Sequence, residues 1–172
     1  AILRTYVDTN MQSLPQPIII CYKKPMLGVG KRKQSRREEF GLEVLGSSRS
    51  IAEVVIIQTA LAILEEAGFI ETFVEINSVG DRESIAKFER ELVSYYRKHV
   101  NEMSASCRQE FKQDVFGVVR CVDEKCKGVY DGAPQAMSFL SDLSREHFKE
   151  VLMSLETLAI PYKINNILSG TH

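Results

Sequence analysis

The spacing of apolar and polar residues changes period several times along the chain, and each change marks an element. Ile2 to Met11 opens as a short helix that Pro15 and Pro17 stop, because proline fixes φ and lacks the N–H a helix needs. Ile18-Ile19-Ile20-Cys21-Tyr22 is a continuous apolar run of strand length. Glu38 to Gly46 alternates, with Phe40, Leu42 and Val44 on one face and Glu39, Gly41 and Glu43 on the other, which is the period of a strand. Ser50-Ile51-Ala52-Glu53 has the form of a capping box and starts a helix that Gly68 ends as a C-cap glycine. The middle of that helix is apolar nearly all round, which predicts burial across a sheet.

Thr72 to Ile76 predicts the next strand, and Asn77-Ser78-Val79-Gly80 the turn that closes it. Asp81 then caps a long helix on which Ile85, Phe88, Leu92, Tyr95 or Tyr96, and His99 recur at helical spacing, with a charged opposite face. Ser104 to Leu143 reads as short helical pieces and turns. Ser144 to Ala159 reads as an amphipathic helix on Phe148, Val151, Leu152, Leu155 and Leu158, stopped by Pro161. The chain returns through Tyr162-Lys163-Ile164-Asn165, and no internal repeat is present. Sheet signal fades after Gly80, so the pattern predicts an α+β fold: strands and one packed helix over 1–80, then a mainly helical domain over 81–166.

Composition narrows the class. At 172 residues, 44% hydrophobic and 26% charged, the chain resembles an ordinary globular protein with enough residues for a core, not a disordered or low-complexity one. The formal charge of -1 excludes a uniformly basic nucleic-acid binder but not a local patch. One patch is evident: seven of the fifteen residues from Lys23 to Arg37 are basic (Lys23, Lys24, Lys31, Arg32, Lys33, Arg36, Arg37), none is acidic, and Gly28 and Gly30 loosen the backbone. A basic loop between two strands makes a hairpin whose tip can clamp phosphates through N–H groups and cationic side chains. The same composition also fits a solvated charged hairpin.

The longest strongly apolar stretch, Val54 to Leu64, is eleven residues, short of the roughly eighteen needed to span a bilayer, so no membrane crossing is expected. The chain shows no signal-peptide pattern and starts at Ala1 without an initiator Met, which reads as part of a longer product. Four cysteines at uneven spacing do not form a secreted disulfide framework and point to a reducing cytoplasm.

Three constellations offer chemistry. Glu39 and Glu43, four residues apart on one strand face, stand roughly 13 Å apart at Cα and can flank a small ammonium-bearing ligand, or serve only as exposed strand carboxylates. Cys107, Cys121 and Cys126, with His99 or His147, are weak zinc candidates because no C-x2-C pair is present; the alternative is three reduced, partly buried thiols. Tyr95-Tyr96-Arg97-Lys98-His99 mixes aromatic and basic residues as RNA-contacting surfaces do, yet on a helix it divides between a core face and a solvated one.

The order of these pieces is itself informative. Glu39-Phe40-Gly41-Leu42-Glu43-Val44-Leu45-Gly46-Ser47, the Ala52-Glu53 helix, Val74-Glu75-Ile76-Asn77-Ser78-Val79-Gly80-Asp81, Ala133-Pro134, Ser144-Arg145-Glu146-His147-Phe148 and Ile160-Pro161-Tyr162-Lys163-Ile164-Asn165 resemble bacterial-type histidyl-tRNA synthetases in sequence and spacing, nearly end to end. The resemblance implies part of the class II antiparallel catalytic sheet with the motif 2 hairpin over 1–80, a helical insertion domain that approaches the tRNA acceptor arm over 81–166, and the start of the return to the catalytic domain over 167–172. It implies ATP with magnesium as cofactor, histidine and its tRNA as partners, a homodimer for the full-length protein and a cytoplasmic location.

Residue by residue, the resemblance gives Glu43 the motif 2 glutamate's role of holding the histidine α-amino group. Glu39 stands where the family usually has glutamine, which keeps an acceptor and adds a negative charge beside the substrate carboxylate. Lys31, Arg32, Lys33, Arg36 and Arg37 would meet phosphates of ATP or tRNA. The family's Phe-Arg-x-Glu, whose arginine grips the ATP α-phosphate, reads here as Leu27-Gly28-Val29-Gly30, and its Arg-Gly-Leu-Asp-Tyr-Tyr would begin at Ser169-Gly170-Thr171-His172. Without those arginines, and without motifs 1 and 3, the expectation is a piece or divergent form of a histidine–tRNA ligase, inactive as this chain alone. The competing expectation is a non-catalytic paralogue, acting as a histidine-sensing regulator or a tRNA-binding module. Ser104 with Cys107, and Ser141 with Ser144, stand at spacings where some relatives carry cysteine pairs, which argues further against zinc.

Overall fold

The computed structural model describes residues 2–25, 38–120, 123–166 and 168. Helices and two small sheets make up an α+β fold. Two compact units divide between Thr72 and Phe73.

In the first unit, helix α1 (Ile2–Asp8) and a 3₁₀ turn (Met11–Ser13) precede strand β1 (Ile18–Pro25). Asn10, at φ 57°, breaks the predicted Ile2–Met11 helix into these two pieces. β1 pairs antiparallel with β2 (Glu38–Leu45), in a register running from Ile18 opposite Leu45 to Pro25 opposite Glu38. Lys23 and Lys24 are therefore strand residues and not the start of a loop. Cross-strand charge pairs carry the ladder that far: Lys23 Nζ lies 2.7 Å from Glu38 Oε2, and Lys24 Nζ lies 3.2 Å from Glu39 Oε1.

Helix α2 (Ile51–Glu66) lies against the Phe40 and Leu42 face of β2, where Phe40, Leu42, Ile56, Ala60, Ile63 and Leu64 line a groove of about 340 Å³. The expected burial across a sheet is not what this unit shows. Only Val54 of α2 is buried, while Ile51 is 53% exposed and Ile63 and Leu64 are each 39% exposed, because two strands cover one side of a helix that is apolar all round. The helix starts where the Ser50–Glu53 signature puts it, at Ile51, but without the Ser50 side-chain cap bond. Ser50 is already in right-handed helical geometry and makes no side-chain capping bond, since a turn closed by Ala52 N–H on the Arg49 carbonyl (3.0 Å) begins before it. The other end is as predicted: Gly68 adopts φ 91°, Gly68 N–H donates to the Glu65 carbonyl and Phe69 N–H to the Leu64 carbonyl, the paired bonds of a Schellman motif.

In the second unit, β3 (Val74–Ile76) pairs in parallel with β4 (Tyr162–Ile164), Val74 opposite Tyr162. The Asn165 N–H extends the pairing to the Ile76 carbonyl, and Asn77 Nδ2 donates to the Leu168 carbonyl. This long-range pairing is why β3 and the turn to Gly80 group with the helices after them, whereas the sequence signal divides at Gly80.

Helix α3 (Arg82–Lys98) buries Ser84, Phe88, Leu92 and Tyr96, a stripe four residues apart. Tyr96 is fully buried in the core, and Tyr95 packs against it partly buried. Around it pack α4 (Ala105–Gln113), the 3₁₀ segment Val115–Arg120, α5 (Glu124–Asp131) and the 3₁₀ turn Ala136–Phe139, so that Phe88, Leu92, Tyr96, Met103, Cys107, Val118, Cys126 and Val129 form one cluster. The Phe88 ring meets Phe116 at 5.7 Å and Phe139 at 5.9 Å, distances typical of aromatic pairs. Helix α6 (Asp142–Thr157) begins before the predicted Ser144, since Ser141 is its N-cap, and buries Phe148, Val151 and Leu155. Leu158 is 43% exposed, past the helix end.

Candidate functional site

Alternation along β2 puts Glu39, Gly41 and Glu43 on the hairpin face that turns away from α2, opposite Lys24, Tyr22 and Ile20 of β1. Gly41 has a specific reason to be glycine. A Cβ there would lie 2.1 Å from Tyr22 Cζ, so the tyrosine ring can cross the neighbouring strand only because position 41 has no side chain. The ring therefore lies between the two glutamates. Lys24 Nζ is 5.4 Å from its centroid, within the range of a cation–π contact, while the same ammonium reaches Glu39.

The two glutamates thus differ in what they can bind. Glu39 is ion-paired. Glu43, half-buried opposite Ile20, has no hydrogen bond or ion pair among the described residues. A carboxylate without a partner on a partly desolvated face is poised to accept hydrogen bonds from a ligand's ammonium. Lys31, Arg32, Lys33, Arg36 and Arg37 lie outside the described residues, as do Leu27 to Gly30 and Ser169 to His172. Of the seven hairpin cations, Lys23 and Lys24 are already matched by carboxylates at its base.

A second polar cluster, in the second unit, is built on Asp81. Its Oδ1 accepts from Ser84 N–H and Ser84 Oγ, both at 2.9 Å, and its Oδ2 accepts from Ser141 Oγ at 2.5 Å and Ser144 Oγ at 3.2 Å. Ser84 Oγ in turn accepts from Ser141 N–H, and Ser144 Oγ from Asp81 N–H. One carboxylate thereby caps α3 and ties the start of α6 to it. The Ser141 hydroxyl first, then the Ser84 amide and hydroxyl, hold the Asp81 carboxyl far below the usual carboxylate range. All its oxygens are engaged within the protein, so the cluster holds structure together and offers no vacant valence.

Among the described residues, no cysteine stands in a metal-ligating group. Cys107 is disulfide-bonded and not the reduced thiol expected from the sequence, Cys126 is buried with its Sγ 3.4 Å from Ser104 N, and Cys121 lies outside the described residues. No group of three or more metal-ligating side chains occurs among the described residues. His99 Nδ1 pairs with Glu102 Oε1 at 2.9 Å and its ring lies 4.4 Å from that of Tyr95. The aromatic and basic run divides as its helical period implies, Tyr96 into the core and Arg97 and Lys98 to solvent. Among the described residues, no helix is long and apolar enough to cross a membrane.

Tyr22 and Lys24 are site residues that reading the sequence alone missed. Their signal was present, because once Ile18 is set opposite Leu45 the antiparallel register puts Lys24 against Glu39; the sequence without a register gives no such pairing.

No family model matches the chain. Curated proteins do match it nearly end to end. The histidine–tRNA ligase of Acetivibrio thermocellus is 30% identical over 98% of this chain and 42% of its own length. That of Desulforamulus reducens is 27% identical over 96% of this chain and 40% of its own length. Among solved structures, the apo histidyl-tRNA synthetase of S. aureus superposes with a TM-score of 0.69 and 25% identity, over 96% of this chain and 39% of that one. The chain thus spans about two fifths of the length of the relatives it matches.

Proposed function

Because this chain matches a central stretch of histidyl-tRNA synthetases over nearly its whole length, we propose that it is the part of a histidine–tRNA ligase, or of a divergent form of one, that anchors the amino acid by its ammonium group. The observation that carries this reading is the state of Glu43, a carboxylate unpaired among the described residues on the strand face where the resemblance puts the ammonium. In the whole ligase, histidine would be activated by ATP with magnesium and its acyl group passed to the tRNA 3′ end, by a class II, homodimeric enzyme of the cytoplasm. Lys31, Arg32, Lys33, Arg36 and Arg37 are the residues proposed to meet phosphates. Disulfides are uncommon in a reducing compartment, so the redox state of Cys107, trapped by alkylating the thiols at cell lysis, tests the cytoplasmic location.

A second reading is favoured by one observation, Gly28 in the place of the phosphate-gripping arginine. An arginine–phosphate contact contributes about 1.5 to 3 kcal/mol for each charge-assisted bond, so its loss removes orders of magnitude in rate while leaving amino-acid binding intact. A histidine-sensing or tRNA-binding paralogue without catalysis fits that pattern.

Two measurements on this chain test the proposal. Equilibrium dialysis with labelled histidine should show binding that Glu43→Gln abolishes, and histidine-dependent pyrophosphate exchange should stay at background. Binding that survives Glu43→Gln removes the ammonium anchor from β2. Exchange well above background overturns the alignment of Leu27 to Gly30.

A further inference from the structure

We infer that the cavity at the carboxyl end of β4, in the second unit, is a guanidinium-binding site with Asp131 and Asn166 as its acceptors and Phe88 and Tyr130 as its aromatic lining. The inference is independent of the histidine reading. The cavity holds about 250 Å³ and lies where the chain leaves β4 through Asn165 and Asn166, lined also by the end of α5. Pockets for drug-sized ligands begin at roughly 300 Å³, so this one suits a single functional group and not a whole cofactor.

Its polar groups are acceptors short of donors. The Asn166 amide oxygen is buried with no hydrogen-bond partner among the described residues, and an unpaired buried acceptor is costly. Asp131 has no hydrogen bond or ion pair among the described residues. It is also the last residue of α5, whose last turn carries no basic side chain, so its carboxylate adds to the negative end of the helix dipole and a cation is favoured there. Burial first, then the Asp131 charge, push the Tyr130 phenol above its ordinary range, so the ring beside that carboxylate stays neutral. The aromatic lining chooses between cations. An ammonium is compact and strongly hydrated, whereas a guanidinium is flat, weakly hydrated and forked, able to lie against a ring while its edge donates to Asp131 and Asn166.

The test is a titration of the protein, followed by backbone amide NMR, with N-acetylarginine amide and with N-acetyllysine amide. The arginine compound should give saturable shifts centred on Tyr130, Asp131 and Asn166, and should bind at least five-fold more tightly than the lysine compound. Its affinity should fall at least five-fold in Asp131→Asn, an exposed position whose substitution leaves the urea midpoint unchanged, and at least two-fold in Asn166→Ala. Agmatine, a small guanidine, run beside N-acetylarginine amide separates a small-molecule source from an arginine of a peptide, and a preference for either upholds the site. Shifts that do not saturate, equal affinity for the arginine and lysine compounds, or undiminished affinity in Asp131→Asn overturns the inference. The comparison of arginine with lysine is made on the parent, so it decides the matter even where a variant does not fold.

Discussion

At the scale of single residues, two positions are under local stress. Ala159 follows α6 as the left-handed residue of a Schellman motif, at φ 53°, with Ala159 N–H on the Glu156 carbonyl and Ile160 N–H on the Leu155 carbonyl. Its Cβ makes that conformation cost about 1 to 2 kcal/mol, whereas glycine pays only the larger entropy of the unfolded chain, about 0.4 to 1 kcal/mol. Ala159→Gly is therefore expected to raise stability by roughly 0.5 kcal/mol, read as a higher urea midpoint at unchanged slope. Tyr96 is the second. Its ring is fully buried against Phe111 and Tyr95, and its hydroxyl has no hydrogen-bond partner among the described residues, while burial pushes its phenol above the ordinary tyrosine range. An unsatisfied buried hydroxyl costs on the order of 1 to 3 kcal/mol, so Tyr96→Phe should match or exceed the parent in thermal stability. A clear loss would mean the hydroxyl has a partner in solution.

At the scale of elements, the joint between α3 and α6 depends on a charge. Asp81 binds four donors as an anion, and its carboxyl is held well below its unfolded value. A depressed folded pKa stabilises at pH values above the unfolded pKa and is lost as pH falls through the folded one, here from about pH 4 downward. Asp81→Asn should lower the urea midpoint at pH 6 and show a smaller further drop between pH 6 and pH 3 than the parent. Parallel pH profiles for the two proteins would dismiss the role. Helix α6 also contributes an apolar face, since Phe148 is 8% exposed and Val151 and Leu155 are buried. Phe148→Ala should cost about 3 to 5 kcal/mol, and a loss below about 1 kcal/mol would show that the face has no partner in the folded unit.

For the whole molecule the decisive property is charge distribution. The net charge is only -1, and two of the seven hairpin cations are matched by Glu38 and Glu39; Lys31, Arg32, Lys33, Arg36 and Arg37 are the five proposed to meet polyphosphate or tRNA. Replacing these five with Ala should weaken tRNA binding and flatten its dependence on salt, because fewer counterions are released. Competition by unrelated RNA should remain strong in the parent, since phosphate contacts position a nucleic acid without reading it. Equal affinity and equal salt slope in the five-fold variant would move any tRNA contact to the second unit.

What the sequence determines by itself is what a few neighbouring residues encode. Period two assigns Glu39 and Glu43 to one face of β2, Asp81 and Gly68 mark helix ends, and the run of motifs from Glu39 to Asn165 points to the family that the relatives share. Tertiary structure decides what depends on residues far apart in the chain. Which of Tyr95 and Tyr96 enters the core is set by the segments packed around α3, and the start of α6 is set by Ser141 reaching Asp81. The signature at Ser50 marks the helix start, yet the Ser50 side-chain cap bond is not made, because the backbone already turns before it. The state of the two glutamates belongs here too: only the strand register brings Lys24 to Glu39 and Tyr22 over Gly41, because a pairing between strands is fixed by closing the chain between them and not by any spacing within either one.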